Sequence, residues 1–568
     1  MKWNFEFKAK LVYIFFLIMT VVSIGRLYFL QIVHGETYRK RADSEILRGS
    51  QPIFERGTIY LSGKNGNLTS TASMKAGYVL SINPRQIEDA ATAYAALRTV
   101  ILLDEAEFLS KASDKNDPHE EIARRLSEDD AQKIIKQKIQ GVIVFKEQWR
   151  IYPTDSLAAH VMGFVGYQGD VINGRYGLER YYDDNLRRDS ANMDRNFFVE
   201  MFSNAEMLRG GQLEGDIITS IEPTVQRSLE AELQKVTEEF GSKLTGGIIM
   251  DPASGEIYAL AAYPTFNPNR YGEEKNVAVF SNPLVEKVYE MGSIMKPITV
   301  AVGLDTGVVT ASTTYRDEGF LKVGNRTIYN FDKQGRGVVL MQEVLSQSLN
   351  TGVATVALKL GKAKFEKYIS AFGLGEETGI DLPSEAAGLI RNLTKGGEVE
   401  LANASFGQGI AVTPIEMTRA LSALGNGGLL PNPHVARQVN YELGFSKKIM
   451  STEDEMRRVI KKETSEEITR MLVEVVDKAL KGGQFKLDHY SVAAKTGTAQ
   501  IANKDGGGYY SDRFLHSFFG YFPAYQPRFI IFLYTVEPQA DYASNTLTVP
   551  FSNLTKFLLN YYQVPPDR

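Results

Sequence analysis

The most hydrophobic part of the chain lies at its N-terminus. Residues 11–25 carry no charge, and the apolar character continues beyond Arg26 to Val33, so that 23 residues together are long enough to cross a bilayer. The preceding tail, residues 1–10, contains three lysines against one glutamate, and such positive charge is typical of the cytoplasmic side. We expect residues 11–33 to form a single transmembrane anchor with the rest of the chain extracytoplasmic; a cleaved signal peptide and a buried core helix are the alternatives.

From residue 216 onwards, the apolar positions predict both helices and strands. Apolar residues four apart, at Val225, Leu229 and Leu233, predict a helix that begins at Pro223. Two apolar runs around the turn at residues 251–255 predict a hairpin. The last predicted elements are a helix that begins at Thr464, with a capping-box glutamate at Glu467, and strands at residues 491–501, 516–522 and 529–536. This order is typical of helices packed on a largely antiparallel sheet.

Residues 35–213, which we call the pedestal, show a more mixed pattern. Short strand-like runs such as residues 77–82 alternate with charged segments such as residues 120–126, which we expect to form a solvated helix face. Residues 190–213 lack periodicity and end near a Gly-Gly pair, which indicates a linker. The predicted organisation is a cytoplasmic tail (1–10), a signal-anchor (11–33), the pedestal with its linker (35–213) and one large domain (216–568).

The composition excludes several classes of function. The 568 residues are 43% hydrophobic and 23% charged with a net charge of −4, which argues against a disordered chain and against a nucleic-acid binder. There is no cysteine, so disulfides, thiolate metal sites and cysteine nucleophiles are excluded. No two of the six histidines lie at a metal-ligand spacing: His34, His119, His160, His434, His489 and His516. We therefore expect no metal and a nucleophile that works without a histidine base.

A first candidate for chemistry is the pair Ser293 and Lys296. If a helix begins at Ser293, a spacing of three places both side chains on one face. A serine hydroxyl is a weak nucleophile until a base takes its proton, and a desolvated lysine can be that base. The alternative for this pattern alone is a helix-capping serine beside a solvent-exposed lysine.

Two further motifs follow along the chain. Ser348-Leu349-Asn350 carries little weight by itself, because residues 81–83 and 190–192 match the same pattern. The segment Lys495-Thr496-Gly497-Thr498 lies in a predicted strand, where glycine permits close approach of another backbone and the lysine and threonines suit a carboxylate. The alternative for this motif alone is an exposed strand with polar side chains.

The order of the three motifs is more specific than any one of them. Serine-x-x-lysine, then serine-x-asparagine, then lysine-threonine-glycine is the set found in serine acyl-transfer enzymes that bind penicillin. Ser293 and Ser348 are separated by 55 residues, and Ser348 and Lys495 by 147. This ordered set favours a serine acyl-transfer site.

On these motifs, the chain resembles the class B penicillin-binding proteins, the monofunctional peptidoglycan D,D-transpeptidases, over nearly its whole length. Other segments that look like the family are residues 26–31, 56–60, 150–153, 158–160, 176–179, 250–257, 263–269, 289–297, 405–414 and 516–523. Two departures are Met291, where the family usually has proline, and Leu61-Ser62, close to a usual aspartate–arginine pair. The second departure puts contacts of the pedestal in doubt but leaves the chemistry untouched.

The resemblance implies an α+β penicillin-binding, serine-transpeptidase fold. Its features would be a five-stranded antiparallel sheet with helices on both faces, an all-helical subdomain, and an elongated, mostly β pedestal of the dimerisation type behind a single transmembrane helix. It also implies no cofactor, no glycosyltransferase domain and a retained anchor in the cytoplasmic membrane.

The implied mechanism begins with attack by Ser293 on the carbonyl between the two terminal D-alanines of a peptidoglycan stem peptide. Lys296 would be the base, Ser348 would relay a proton to the leaving amine, and Asn350 would hold Lys296 and the substrate amide. Lys495 would keep the site positive, while Thr496, Gly497 and Thr498 would bind the substrate, its carboxylate meeting the two threonines. The backbone N–H groups of Ser293 and Thr498 would form the oxyanion hole.

The expected partners are donor and acceptor stem peptides, β-lactam antibiotics and, by resemblance, a SEDS-type glycosyltransferase. We expect no nucleic acid. A D,D-carboxypeptidase or β-lactam-hydrolysing enzyme of the same fold, and a non-catalytic scaffold or β-lactam sensor, are the alternative functions. Within the favoured class, a septal role is preferred over lateral-wall synthesis on the compact length of the chain.

Overall fold

The computed structural model describes residues 13, 16, 17, 19, 20, 54–169, 171–188, 213–442, 444–450, 453–503 and 506–568. The predicted anchor at residues 11–33 lies outside the described residues except for five positions, and the predicted linker at residues 190–213 lies outside them except for its last residue. Within the part of the chain that is described, no helix has the length and apolar character that a membrane span requires.

The described residues fall into two compact units. The first unit contains residues 74–149, and the second contains residues 56–73 and 150–188 together with the chain from residue 213 to the C-terminus. The second unit therefore includes two segments of the predicted pedestal, residues 56–73 and 150–188.

The first unit contains three helices and a sheet around a small apolar core. Its helices are Ala90–Leu97, Glu105–Ser113 and Glu128–Gln137, and its strands are the second part of Leu68–Ile82, Glu120–Leu126 and Val142–Ile151. Each helix begins at a capping side chain: Asp89, Asp104 and Ser127 accept hydrogen bonds from first-turn amides. The prediction of a mostly β pedestal is wrong here, since helices and strands contribute similar lengths.

The segment Glu120–Leu126 is a strand and not the predicted helix. It pairs antiparallel with the strand Leu68–Ile82, with Leu80 opposite Ala123. Ile122, Ala123 and Leu126 pack against the core of this unit. The helix-favouring charged residues are thus overridden by sheet pairing and by burial of apolar side chains, which a reading of local propensity does not capture.

In the second unit, the largest element is a five-stranded, fully antiparallel sheet. Its spatial order is Ile257–Tyr263, Leu244–Met250, Phe529–Val536, Tyr509–Phe522 and Ala493–Ala502. The predicted hairpin and the three predicted strands are all present in it. A second sheet joins Ser446–Lys448, Ala436–Tyr441, Gly215–Thr219, Ile59–Ser62 and the start of Leu68–Ile82.

Helices cover both faces of the five-stranded sheet. The helices Pro223–Phe240 and Thr548–Tyr561 pack on one face through buried leucine, valine and phenylalanine side chains. The helix Lys296–Asp305 belongs to the larger core on the other face. The remaining helices are Ala159–Met162, Gly177–Tyr181, Asp183–Leu186, Pro283–Glu286, Met341–Ser346, Asn350–Leu360, Lys362–Ala371, Arg391–Lys395, Glu398–Ala404, Pro414–Ser422, Lys462–Glu474 and Ala543–Thr546.

The predicted all-helical subdomain also contains small strands. Two antiparallel strand pairs lie in sequence between the helices Lys296–Asp305 and Met341–Ser346. They are Thr314–Asp317 with Gly337–Leu340, and Phe320–Val323 with Arg326–Tyr329. Another detail differs from the sequence prediction: the helix predicted to begin at Thr464 spans Lys462–Glu474. Thr464 is not its cap, because its hydroxyl donates to Asp305 Oδ1 at 2.8 Å.

A buried ion-pair network joins the pedestal segments of the second unit. Glu179, fully buried, accepts from Arg56 Nε at 2.5 Å and from Arg150 Nε at 2.7 Å, and Tyr152 donates to it at 3.2 Å. Burial alone would raise the pKa of Glu179, but the charges of Arg150 and Arg56 outweigh it and hold the pKa below its ordinary value. At the departure from the family pattern, the Ser62 hydroxyl donates to the carbonyl of Thr219 at 2.6 Å.

Candidate active site

The Ser293 segment begins as a single 3₁₀ turn and continues as an α-helix. Gly292–Met295 forms the 3₁₀ turn and Lys296–Asp305 the helix, with Pro297 in its first turn where a missing N–H costs nothing. Ser293 is partly exposed, whereas Lys296 is fully buried. The nucleophile candidate is therefore accessible and the base candidate is removed from solvent.

Two glycines let this turn pack directly on the strand Ala493–Ala502. A Cβ at Gly497 would overlap Oγ of Ser517 and would lie 2.8 Å from the carbonyl oxygen of Met291. Gly292 has φ of +63°, and a Cβ there would lie 2.8 Å from the carbonyl oxygen of Thr498. The glycine of the lysine-threonine-glycine motif thus permits the close backbone approach predicted from the sequence, and it brings Ser293 beside Thr498.

Ser517 fixes this approach from the neighbouring strand. Its hydroxyl donates to the carbonyl of Met291 at 2.8 Å, and it lies opposite Gly497 in the antiparallel register. A second link comes from Tyr509 of the same strand, whose hydroxyl donates at 2.9 Å to Oε2 of Glu290, two residues before the turn. Sequence reasoning missed both residues, because only the register of two strands identifies them.

Lys296 and Ser348 are in direct contact. The ammonium nitrogen donates to Oγ of Ser348 at 3.1 Å and to its carbonyl oxygen. Ser348 lies between the helices Met341–Ser346 and Asn350–Leu360 with φ of +56°, a left-handed conformation that is uncommon for serine. This conformation turns both oxygen atoms of Ser348 towards one lysine.

The electrostatics of the site depend on two buried lysines. Burial, and secondarily the charge of Lys495, hold the pKa of Lys296 well below its ordinary value. Burial lowers the pKa of Lys495 to about 8, and its Nζ donates to the carbonyl of Thr496 at 3.1 Å. Lys296 therefore loses its proton more readily than Lys495, which suits a base beside a retained positive charge.

Asn350 makes a different contact from the one expected. Its Nδ2 donates to the carbonyl of Tyr329 at 2.9 Å, and among the described residues no hydrogen bond joins it to Lys296. The next residue is held nearby, since Thr351 Oγ1 donates to Oδ1 of Asp317 in the strand Thr314–Asp317 at 2.8 Å and Thr351 N donates to Asn330 Oδ1 at 3.3 Å. The small strand pairs thus hold the start of the helix that carries the second motif.

The two threonines of the third motif differ in their surroundings. Both are partly exposed, but Thr498 Oγ1 also accepts a hydrogen bond from the backbone N–H of Ala543 at 3.1 Å. Because that oxygen accepts, the hydroxyl proton of Thr498 is available to a ligand. Thr496 contributes a second hydroxyl on the same strand, next to the nearly buried Lys495.

The three motifs together form a site suited to acyl transfer. An accessible serine lies one helical turn before a buried lysine of lowered pKa, which contacts a second serine. A strand with a lysine and two threonines packs against the same turn. Such a site can activate a hydroxyl without histidine or metal and can bind a carboxylate beside the reacting carbonyl.

Comparison with known sequences identifies two family domains. Residues 245–555 match the penicillin binding protein transpeptidase domain, and residues 54–192 match the penicillin-binding protein dimerisation domain. Stage V sporulation protein D of Bacillus subtilis is 31% identical over 550 residues, which cover 94% of this chain and 83% of that protein. The probable peptidoglycan D,D-transpeptidase FtsI of Caulobacter vibrioides is 30% identical over 484 residues, or 84% and 75% of the two chains.

Solved structures of penicillin-binding proteins share the fold of this chain. Penicillin binding protein 2X from Streptococcus thermophilus superposes with a TM-score of 0.74 at 19% identity, covering 90% of this chain and 80% of that one. Penicillin binding protein 3 from Mycobacterium tuberculosis, complexed with aztreonam, gives 0.68 at 21% identity, covering 91% and 98%. Given the match of the transpeptidase domain to more than half of its length, the chain belongs to the penicillin-binding protein transpeptidase family.

Proposed function

We propose that this chain is a peptidoglycan D,D-transpeptidase that cross-links stem peptides through an acyl-enzyme at Ser293. The observation that carries the proposal is the contact of the buried Lys296 with Ser348, one turn after an accessible serine. Relatives named as probable peptidoglycan D,D-transpeptidases support the same reaction.

The first half of the reaction transfers the donor peptide to the enzyme. Lys296, as the free amine, takes the hydroxyl proton of Ser293 while Oγ bonds to the carbonyl carbon of the penultimate D-alanine. The C–N bond to the terminal D-alanine breaks, and its nitrogen takes a proton delivered from Lys296 through Ser348. N–H groups of Ser293 and Thr498 would hold the developing oxyanion.

The second half transfers the peptide to an acceptor. An amine of a neighbouring stem peptide bonds to the ester carbonyl carbon, the ester C–O bond breaks, and the proton lost by the amine returns to Ser293 Oγ by way of Lys296. Lys495, Thr496 and Thr498 hold the donor carboxylate during the first half, and Gly497 keeps their strand against the Ser293 turn.

Hydrolysis by water in place of the amine is the second candidate reaction. The same residues would support it, and only the acceptor differs. The match of the pedestal to a dimerisation domain favours an enzyme working within an assembly, which suits transfer to a neighbouring strand.

The enzyme would work at the outer surface of the cytoplasmic membrane. Residues 11–33 would anchor it in the cytoplasmic membrane with residues 1–10 inside, the pedestal at 35–213 and the catalytic domain at 216–568 outside. A SEDS-type glycosyltransferase would be its partner, as the family resemblance implies, and septal synthesis would be its role, on the compact length of the chain.

Covalent labelling tests this proposal. Full-length protein is treated with benzylpenicillin, digested and analysed by mass spectrometry. We expect one equivalent of penicilloyl adduct on the peptide containing Ser293, and none in Ser293→Ala. An adduct that persists in that variant, or maps to another residue, would refute the assignment.

A further inference from the structure

His516 is a buried residue that the catalytic scheme leaves unused. It lies opposite Thr498 in the register of the strands Ala493–Ala502 and Tyr509–Phe522, and none of its surface is exposed. Burial lowers the pKa of His516 to about 4, although the backbone carbonyl and the charge of Asp541 both act to raise it. The ring is therefore neutral at working pH, and it is neither a surface charge nor a proton carrier for Ser293.

The proton on His516 can be located from its neighbours. Its Nδ1 lies 2.9 Å from Oγ1 of Thr546, and the Thr546 hydroxyl donates to the carbonyl of Ala543 at 3.3 Å. A hydroxyl has only one proton, so Thr546 Oγ1 accepts from His516 and Nδ1 carries the hydrogen. Nε2 is buried without a hydrogen-bond partner among the described residues.

The same chain of contacts leads back to the catalytic strand. The short helix Ala543–Thr546 is held at its end by His516, and at its start Ala543 donates its N–H to Thr498 Oγ1 at 3.1 Å. That hydrogen bond occupies a lone pair of Thr498 and leaves its hydroxyl proton directed elsewhere. A carboxylate accepts such a proton well, whereas an ester lacks the charge that strengthens the bond.

We propose that His516 and Thr546 are positioning residues that orient the Thr498 hydroxyl for the carboxylate of the donor substrate. They act through Ala543 and touch neither substrate nor Ser293. The inference rests on the proposed function, because it assumes that Thr498 meets that carboxylate.

The test compares two ligands that differ only in the carboxylate. Second-order acylation rate constants are measured for benzylpenicillin and for its methyl ester with full-length protein. In Thr546→Val, which removes the hydroxyl but keeps the shape, we expect the constant for the free acid to fall about tenfold, as for loss of one hydrogen bond to a charged group. The constant for the ester is expected to change less than about twofold.

Conservative variants provide the matched controls. Thr546→Ser keeps the hydroxyl and should retain the acid-to-ester ratio of the wild type. His516→Asn can place an amide N–H near the position of Nδ1 and should retain more of that ratio than His516→Gln, whose amide extends further. If Thr546→Val fails to fold, the two His516 variants make the same comparison, with melting temperature recorded for each.

The outcomes separate this inference from the function itself. In Thr546→Val, an acid-to-ester ratio of rate constants equal to that of the wild type, whether both constants fall equally or neither falls, would overturn the positioning role. Acylation of the wild type would then still support the proposed enzyme. A wild type that neither ligand acylates would overturn both. A selective loss for the acid, with no further loss when Thr498→Val is added, would support the proposal.

Discussion

At the residue scale, the candidate site contains two buried lysines whose pKa values are lowered to different extents. Lys296 is fully buried and repelled by Lys495, so that its pKa falls well below the ordinary value, while Lys495 keeps a pKa of about 8. In the proposed mechanism, Lys296 must lose its proton to act as a base, and Lys495 must keep its proton to attract a carboxylate. The working range of pH lies between these two requirements.

The rate of acylation by benzylpenicillin should therefore depend on pH in a bell-shaped manner. It should rise as Lys296 loses its proton and fall above about pH 8 as Lys495 loses its own. In Lys495→Arg, whose side chain keeps its charge, the fall near pH 8 should disappear. A falling limb that remains in that variant would contradict the assignment; stopped-flow acylation rates from pH 5 to about pH 10 would measure both limbs.

Gly497 is the second feature at the residue scale, because a side chain has no room there. Gly497→Ala should force the Ser293 turn away from the strand, since the new Cβ would meet Ser517 and Met291. Acylation should fall by about 10²-fold, as expected for a displacement of about 1 Å at a reacting group.

Gly272→Ala is the matched control for this substitution. Its Cβ would have no neighbour within 4 Å, so acylation and melting temperature should stay at wild-type values. A Gly497→Ala protein with normal acylation kinetics would show that the close approach is not needed.

At the element scale, the small strand pairs hold the motif that carries Ser348 and Asn350. Asn350 donates to Tyr329, and Thr351 donates to Asp317, so that both residues at the start of the helix Asn350–Leu360 are tied to strands that precede them in the chain. A helix whose first turn is fixed in this way also fixes Ser348 against Lys296.

Removal of the Thr351 hydroxyl tests this support. Thr351→Val leaves the buried Asp317 and Asn330 oxygens with one donor fewer, which should lower the free energy of unfolding by about 1–3 kcal/mol. Acylation should slow as Ser348 becomes less ordered. Thr351→Ser keeps the donor and should restore both properties; denaturant unfolding and acylation rates measure them, and a valine variant as stable as serine would contradict the role.

Much of the catalytic sheet could be predicted from the sequence, whereas several contacts within the site could not. The strand Phe529–Val536 has the predicted bounds, because apolar residues fill both of its faces. The segment Glu120–Leu126 was predicted wrongly, because its structure is decided by pairing with a strand in which Leu80 lies 43 residues before its partner Ala123. The hydrogen bond from Asn350 to Tyr329 likewise depends on long-range packing that no motif encodes.

At the scale of the whole molecule, the pedestal segments of the second unit are joined by buried charges. Arg56 and Arg150 come from positions almost a hundred residues apart and meet on Glu179. Breaking a buried ion pair leaves uncompensated charge in a medium of low polarity, whereas in the intact network both guanidinium groups donate to the Glu179 carboxylate. The network therefore holds three segments of the chain together.

Glu179→Gln should lower the free energy of unfolding by about 3–5 kcal/mol, because the buried Arg150 then loses its charged partner and Arg56 keeps only Asp183. Since the folded state lowers the pKa of Glu179, its contribution is present above the unfolded value of 4.5 and is lost as the pH falls through the lower folded value. The difference between wild type and variant should shrink accordingly in acid.

The surface glutamate in Glu474→Gln provides the comparison for that measurement. Glu474 forms partly exposed pairs with Lys478 and with Arg470, and such pairs each contribute at most about 1 kcal/mol. Urea unfolding at pH 7 and at pH 3.5 would measure both variants. A Glu179→Gln protein no less stable than Glu474→Gln would show that the buried network is dispensable.

The most direct test of the whole account is analysis of the products of the reaction. Full-length protein is incubated with a D-Ala-D-Ala-terminated peptide and an acceptor amine, and the products are identified by liquid chromatography and mass spectrometry. The account predicts a peptide joined to the acceptor, with one D-alanine released for each bond formed, and no product with Ser293→Ala. Release of D-alanine with only hydrolysed peptide, or a joined product made by Ser293→Ala, would contradict it.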